Sequence, residues 1–262
     1  MNRPLSFSDT FDGILELVEQ LRSEEGCPWD QEQTLQTLSP LVLEECYELV
    51  EAIEIESDSG RLEELGDLFL HLAFQVSISE EEGTFTRSDV FASTLRKYIH
   101  RHPHVFAGQT VNSVEELKDN WEKIKQEEKK ESRKSTMDGI PQNLPSLSLA
   151  QKIQQKAART GFDWDNPKEI QEKIMEEFFE FESAETFEEL EEEFGDLLFS
   201  VVNMGRHSKI DPEKALRNAN RKFVSRFKSM EKLVSRQGKT FSELPLKDQD
   251  DLWTQVKLQE GK

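Results

Sequence analysis

The feature that most constrains this chain is an acidic pattern written twice. Glu44-Glu45-Cys46-Tyr47-Glu48 is followed by Glu64-Leu65-Gly66-Asp67, and Glu176-Glu177-Phe178-Phe179-Glu180 by Glu193-Phe194-Gly195-Asp196. Each copy reads E-E-x-x-E and then E-x-x-D, in apolar surroundings with helical periodicity. On a helix turning about 100° per residue, the three Glu of the first half fall within a sector roughly 100° wide. The Glu and Asp of the second half are three apart and share a face as well. If the two helices of a copy fold against each other, four or five carboxylates meet. Their repulsion, sharpened by burial, is relieved most naturally by a divalent cation. Two copies then imply two metal sites. A solvated acidic face is the bland alternative for E-E-x-x-E alone, but recurrence with E-x-x-D in both halves weakens it.

The rest of the chain repeats in step. Phe7, Phe11, Ile14, Leu15, Val18 and Leu21 predict a first helix. Ser39-Pro40 is expected to open the E-E-x-x-E helix as N-cap and first-turn proline, and the polar run from Glu56 to Gly60 to end it. The next helix, from Leu65 to Ile78, is apolar nearly all round. It is expected to be buried on every side, at the centre of a bundle completed by a second copy of the chain. A helix near Ser88 to His100, a loop from His102 to Gly108, and a helix opened by Ser113-Val114-Glu115-Glu116 complete the first half. Gln126 to Lys134 is almost wholly polar, and Gly139, Pro141 and Pro145 follow. The expected division is a helical domain over 1–128, a linker over 129–145 and a second helical domain over 146–262. Leu147 to Gly161 is again helical, Trp164-Asp165 echoes Trp29-Asp30, and Asp211-Pro212-Glu213 starts a further helix. Glu45 and Glu177, Asp67 and Asp196, Lys97 and Lys222, and Trp121 and Trp253 keep this order, with intervals that differ only by loop lengths. The chain is an internal duplication, all-α, with tandem helical bundles.

Basic residues repeat too. Arg96, Lys97 and Arg101 match Arg221, Lys222 and Arg226, while Trp121 and Lys125 match Trp253 and Lys257. Spaced four apart, Lys97/Arg101, Lys222/Arg226 and the two Trp/Lys pairs each share a helical face. Such sets suit a polyphosphate; each Trp could stack on a base or simply pack. The net charge of −20 argues against nucleic acid and anionic membranes as partners. A polyanionic small molecule needs metal ions and local Lys or Arg to approach. Oxygen ligands select hard cations, Mg²⁺ or its substitute Mn²⁺. Four carboxylates per site exceed what one Mg²⁺ usually takes, which implies more than one ion or ions arriving with substrate. Cys27 and Cys46 are too few for a zinc module or disulfide framework; Cys46 reads as a small buried residue. His71 faces the first cluster, but Ser200 holds the matching place, so a satisfied core histidine is expected. Met1 to Gly13 has no signal pattern and no apolar run has membrane-spanning length, so the cytoplasm is the expected location. No His stands three residues after any cluster Glu, which disfavours a di-iron bundle, and sustained heptads are missing.

These residues resemble the MazG family of nucleoside triphosphate pyrophosphohydrolases, within the all-α NTP pyrophosphatases. The likeness extends beyond the carboxylates to Cys27-Pro28-Trp29-Asp30, Arg101-His102-Pro103-His104-Val105-Phe106, Asn120 to Lys125, Gly161-Phe162-Asp163-Trp164, Asn220 to Phe223 and Trp253 to Lys257. It implies Mg²⁺-dependent hydrolysis of nucleoside triphosphates to monophosphate and pyrophosphate by an intertwined helical homodimer. It implies Glu45, Glu48, Glu64 and Asp67, with Glu177, Glu180, Glu193 and Asp196, as metal ligands. Glu44 and Glu176 are candidates to orient or deprotonate the attacking water. Lys97, Arg101, Trp121 and Lys125, with Lys222, Arg226, Trp253 and Lys257, are the candidate substrate arms. The C-terminal copy is the better candidate for the main active site, broad base range and nucleotide-pool cleaning being compatible roles. A helical nucleotide sensor or scaffold without catalysis is the competing expectation.

Overall fold

In the computed structural model, residues 7–128 and 134–260 are described; the expected linker falls partly outside them, at 129–133. The chain forms two compact units that divide between Glu127 and Glu128. Among the described residues every regular element is helical, as the periodicity predicts.

The first unit comprises α1 (Phe11–Arg22), α2 (Pro28–Gln31), α3 (Leu35–Glu54), α4 (Asp58–Glu81), α5 (Arg87–His100), α6 (Pro103–Phe106) and α7 (Val114–Glu127). Helix α3 lies along α4, and α1 packs on α4. Leu15 and Val18 of α1, Leu38 of α3, and Ala73, Phe74, Val76 and Ile78 of α4 form the core. Helix α3 starts before the proline that was expected to open it. Thr34 Oγ1 accepts from the Thr37 N–H at 3.1 Å, and Thr37 Oγ1 from the Thr34 N–H at 2.9 Å. This reciprocal cap satisfies two end donors, so Pro40 falls inside the helix despite the backbone bond it cannot make. The expected loop at His102–Gly108 contains the one-turn helix α6. Ser113 Oγ does cap α7, accepting from the Glu116 N–H at 3.0 Å.

The second unit comprises α8 (Ser146–Ala158), α9 (Pro167–Ser183), α10 (Phe187–His207), α11 (Pro212–Arg236) and α12 (Leu246–Glu260), with a short 3₁₀ turn at Phe241–Glu243. Here α9 lies along α10, α8 packs on α10, and α12 packs on α11. The α9–α10 and α8–α10 pairings repeat those of α3 and α1 with α4 in the first unit. Its buried apolar residues are Ile140, Ile170, Val202, Met230, Val234 and Val256. Asp211 caps α11 by accepting from the Lys214 N–H at 2.9 Å, with Pro212 at its first position.

Within a single chain the apolar central helices are covered on part of their circumference only. Leu65, Phe69 and Leu72 of α4 are exposed, and so are Phe194, Leu198 and Val201 of α10. The helices packed against each central helix within one chain cover one flank of it. The other flank is left as a contiguous apolar strip on each repeat.

Candidate metal and polyphosphate site

The antiparallel helix pairs bring the carboxylates together. Glu45 and Glu48 from α3 and Glu64 from α4 each offer an oxygen within 4.8 Å of the others. Glu177 and Glu180 from α9 and Glu193 from α10 do the same. Each E-E-x-x-E presents its second and third Glu to the neighbouring helix, as the three-residue step requires. Asp67 and Asp196 stand outside these tight trios yet close enough to act on them. Burial, then Glu48, Glu63, Glu45 and Asp67, push the Glu64 carboxyl above its usual range. Burial, then Glu180, Glu177, Asp196 and Glu192, do the same to Glu193. Crowded carboxylates supplying only oxygen fit a hard divalent cation.

That crowding has a pH signature. A carboxyl whose folded value lies above its ordinary 4.5 favours the fold while protonated. The benefit is lost as pH rises through the folded value. A bound divalent cation removes the penalty. We therefore expect magnesium at about 100 times its Kd to raise the melting temperature by roughly 5 °C or more near pH 7, and by much less near pH 4.5. Thermal melts with and without MgCl₂ at both pH values test this, and equal shifts at the two would contradict it.

The two sites differ in what surrounds them. Lys173 Nζ donates to Glu176 at 2.8 Å and stands 2.8 Å from Glu177. These carboxylates, Glu176 first, hold its ammonium well above the usual lysine range. Glu177 is buried, while Glu176 is exposed, and both share Lys173 as a cationic partner. Leu41 is the corresponding residue of the first repeat, and Glu44 there is exposed. In that repeat His71 Nε2 lies 3.5 Å from Glu45, and its buried Nδ1 has no hydrogen-bond partner. His71 is thus not the satisfied core histidine expected. The structure also leaves Cys46 half-buried rather than buried.

The basic arms form one arrangement twice. The Arg101 guanidinium lies 5.6 Å from the Trp121 ring and that of Arg226 lies 5.4 Å from Trp253. Arginine over an aromatic face is an orienting contact as well as an attractive one. Both Trp rings also pack on aromatics, Trp121 against His102 with centroids 4.8 Å apart and Trp253 against Phe223 at 5.2 Å. Each Trp therefore buttresses its Arg. Lys97 Nζ sits 5.2 Å from the Tyr98 ring, and Lys125 lies 3.6 Å from Glu122. Arg226 Nε donates to Glu260 at 2.7 Å. Lys222 and Lys257 are exposed. The arms come from α5, α7, α11 and α12. Of these, α5, which Arg101 caps, touches α4, and α11 touches α10, while α12 packs on α11, so the helices of the two arginines adjoin the carboxylate helices.

Sequence reasoning missed Lys173, although its place four residues before Glu177 was visible as an i, i+4 pair. Asp163 stood in the Gly161–Trp164 run without a role, and its partners Arg206 and His207 were missed. Arg206 makes a two-pronged ion pair to Asp163, and His207 Nε2 lies 2.9 Å from the same carboxylate. Arg206, helped by His207, holds Asp163 down to about 2.

Comparison with known proteins follows the same duplication. The MazG nucleotide pyrophosphohydrolase domain matches residues 33–106 and again 165–237. A Thermotoga maritima protein named nucleoside triphosphate pyrophosphohydrolase/pyrophosphatase MazG is 46% identical over 247 residues, covering 94% of this chain and 95% of its own. The Escherichia coli strain K12 protein named nucleoside triphosphate pyrophosphohydrolase is 41% identical over 256 residues, covering 95% of this chain and 97% of its own.

Proposed function

This chain belongs to the MazG nucleotide pyrophosphohydrolase family, and from that premise we propose that it hydrolyses nucleoside triphosphates to nucleoside monophosphate and pyrophosphate. The observation that carries the proposal is the presence, in each repeat, of a carboxylate trio closed to 4.8 Å together with an Arg–Trp arm whose arginine belongs to, or caps, a helix touching the carboxylate pair. Glu177, Glu180 and Glu193 with Asp196, and Glu45, Glu48 and Glu64 with Asp67, would hold Mg²⁺. When bound, the ion supplies charge stabilisation at the phosphates and a more acidic water.

The chain's own residues do the rest. Water attacks the α-phosphorus, and negative charge grows on the departing pyrophosphate. Lys222, Arg226 and Lys257 offset that charge in the second repeat, and Lys97, Arg101 and Lys125 in the first. Trp253 and Trp121 keep the guanidiniums from swinging into solvent. Glu176, exposed and held by Lys173, orients the attacking water in the second repeat, with Glu44 its counterpart in the first. Lys173 also tempers the repulsion around buried Glu177, which favours the second repeat as the main site. The apolar strips of α4 and α10 are covered by a second copy in a homodimer. The reaction suits a cytoplasmic role in cleaning the nucleotide pool, across a broad range of bases.

The test is to follow pyrophosphate and orthophosphate from a panel of ribo- and deoxyribonucleoside triphosphates, with MgCl₂ or with EDTA. Pyrophosphate and monophosphate in equal amounts are expected with magnesium and neither with EDTA. Nucleotide binding without release, or stepwise loss of orthophosphate, would overturn the proposal.

A further inference from the structure

The two carboxylate clusters carry the same acids and different partners. Each has the five acids of E-E-x-x-E and E-x-x-D, and Glu45 and Glu177 hold the same place in that pattern. The Glu177 side chain is 6% exposed, and Lys173 Nζ stands 2.8 Å from its Oε1. The same ammonium stands 2.8 Å from Glu176. Four residues before Glu45 comes Leu41, an apolar side chain packed against the first core. Among the described residues Glu45 instead pairs with His71, which reaches over from α4 at 3.5 Å, longer than a good hydrogen bond.

This difference sets what each cluster lacks by itself. A buried carboxylate without a partner is an uncompensated charge. Glu177 finds a partner on its own helix, one turn back. Lysine keeps its full charge near neutral pH, which leucine never has and histidine has at most in part. The second cluster is therefore closer to neutrality than the first. An ion held by Glu177 has to share that carboxylate with an ammonium, and like charges drawn to one carboxylate oppose each other. Among the described residues no lysine or arginine is paired with Glu45. A triphosphate changes the balance in the second repeat, because its own negative charge lets ion and ammonium coexist.

We propose that Lys173 is a resident counter-ion of the second repeat, so that Glu177 yields its carboxylate to a divalent cation only when a triphosphate arrives with it. The first repeat, with Leu41 in that place, takes its ion without nucleotide. The repeats thus differ in when they take metal rather than in which acids hold it. Lys173 is here a positioning residue that acts through Glu177. Its role presupposes the hydrolytic reading above for its metal and substrate, and the two fail separately.

Mn²⁺ is titrated into the full-length protein at about pH 8, above the ordinary histidine range, and the free ion is followed by electron paramagnetic resonance. Titrations are run with and without α,β-methylene-ATP, which resists cleavage at that bond. Asp196→Asn leaves the first repeat to be read, and Asp67→Asn the second. Without nucleotide, the first repeat is expected to bind at least ~10-fold more tightly than the second, and the analogue to close most of that gap. Lys173→Leu copies the first repeat, and Lys173→Gln keeps a hydrogen-bond donor without the charge. Each is expected to tighten the second repeat by at least ~10-fold without nucleotide, whereas Lys173→Arg, which keeps the charge, stays within about threefold of the lysine protein.

Equal affinities of the two repeats without nucleotide overturn the counter-ion, and so does the absence of binding in both. Lys173→Leu and Lys173→Gln proteins that bind Mn²⁺ no more tightly overturn it as well. The expected affinities without pyrophosphate from any triphosphate would leave Lys173 in its role and overturn the hydrolytic reading. Pyrophosphate release with equal affinities would do the reverse.

Discussion

Asp196→Asn is expected to lower pyrophosphate release by roughly 10³-fold at saturating magnesium, with Asp67→Asn costing no more than about twofold. The substitution keeps the shape of the side chain and removes one negative charge beside Glu193. A metal-holding charge set contributes several kcal/mol to transition-state stabilisation, and each ~1.4 kcal/mol is tenfold in rate. The asymmetry follows from the surroundings of the two sites rather than from their ligands. The second repeat has Lys173 on Glu176 and Glu177. The first has His71 against Glu45 and Phe74 in its core. Steady-state pyrophosphate release by the two single variants decides the matter. Equal losses would mean that both repeats turn over substrate, and a larger loss from Asp67→Asn would reverse the assignment.

Leu198→Glu is expected to convert a dimer to a monomer. Leu198 is 42% exposed, with Phe194 at 50% and Val201 at 43% on the same helix. A two-fold interface repeats each contact. Burying one leucine contributes roughly 2 kcal/mol, so the loss of two copies weakens the dimer by about 4 kcal/mol, or roughly 10³-fold in Kd, before the cost of two buried charges. Sedimentation equilibrium over micromolar concentrations reads this directly. A wild-type protein that sediments as a monomer throughout would remove the homodimer from the proposal. An unchanged dimer in the variant would place the interface elsewhere.

The acidic pattern was legible before folding because it is local. Residues three and four apart must share a helical face, so Glu177 and Glu180 present themselves together whatever the rest of the chain does. The Arg226–Trp253 pair was half legible: its members were singled out by repetition, but only the fold shows that the ring supports the guanidinium. The start of α3 was misplaced because Ser39-Pro40 is a strong local signal, and the Thr34–Thr37 cap outweighs it. Lys173 was legible too, since it stands four residues before Glu177 on one helical face.

Determined by sequence alone were the helical class, the duplication and the grouping of three glutamates in each repeat, since all three rest on short-range periodicity and on order along the chain. Tertiary structure alone decided that the trios close to 4.8 Å, that apolar residues such as Leu65 and Leu198 of the central helices stay exposed within one chain, and that Gln154 meets Phe199 while Asp163 meets Arg206. The last two contacts join residues 45 and 43 positions apart, and each trio joins residues of two different helices. Nothing in local spacing orients two side chains across such a distance, because their meeting depends on how whole helices pack.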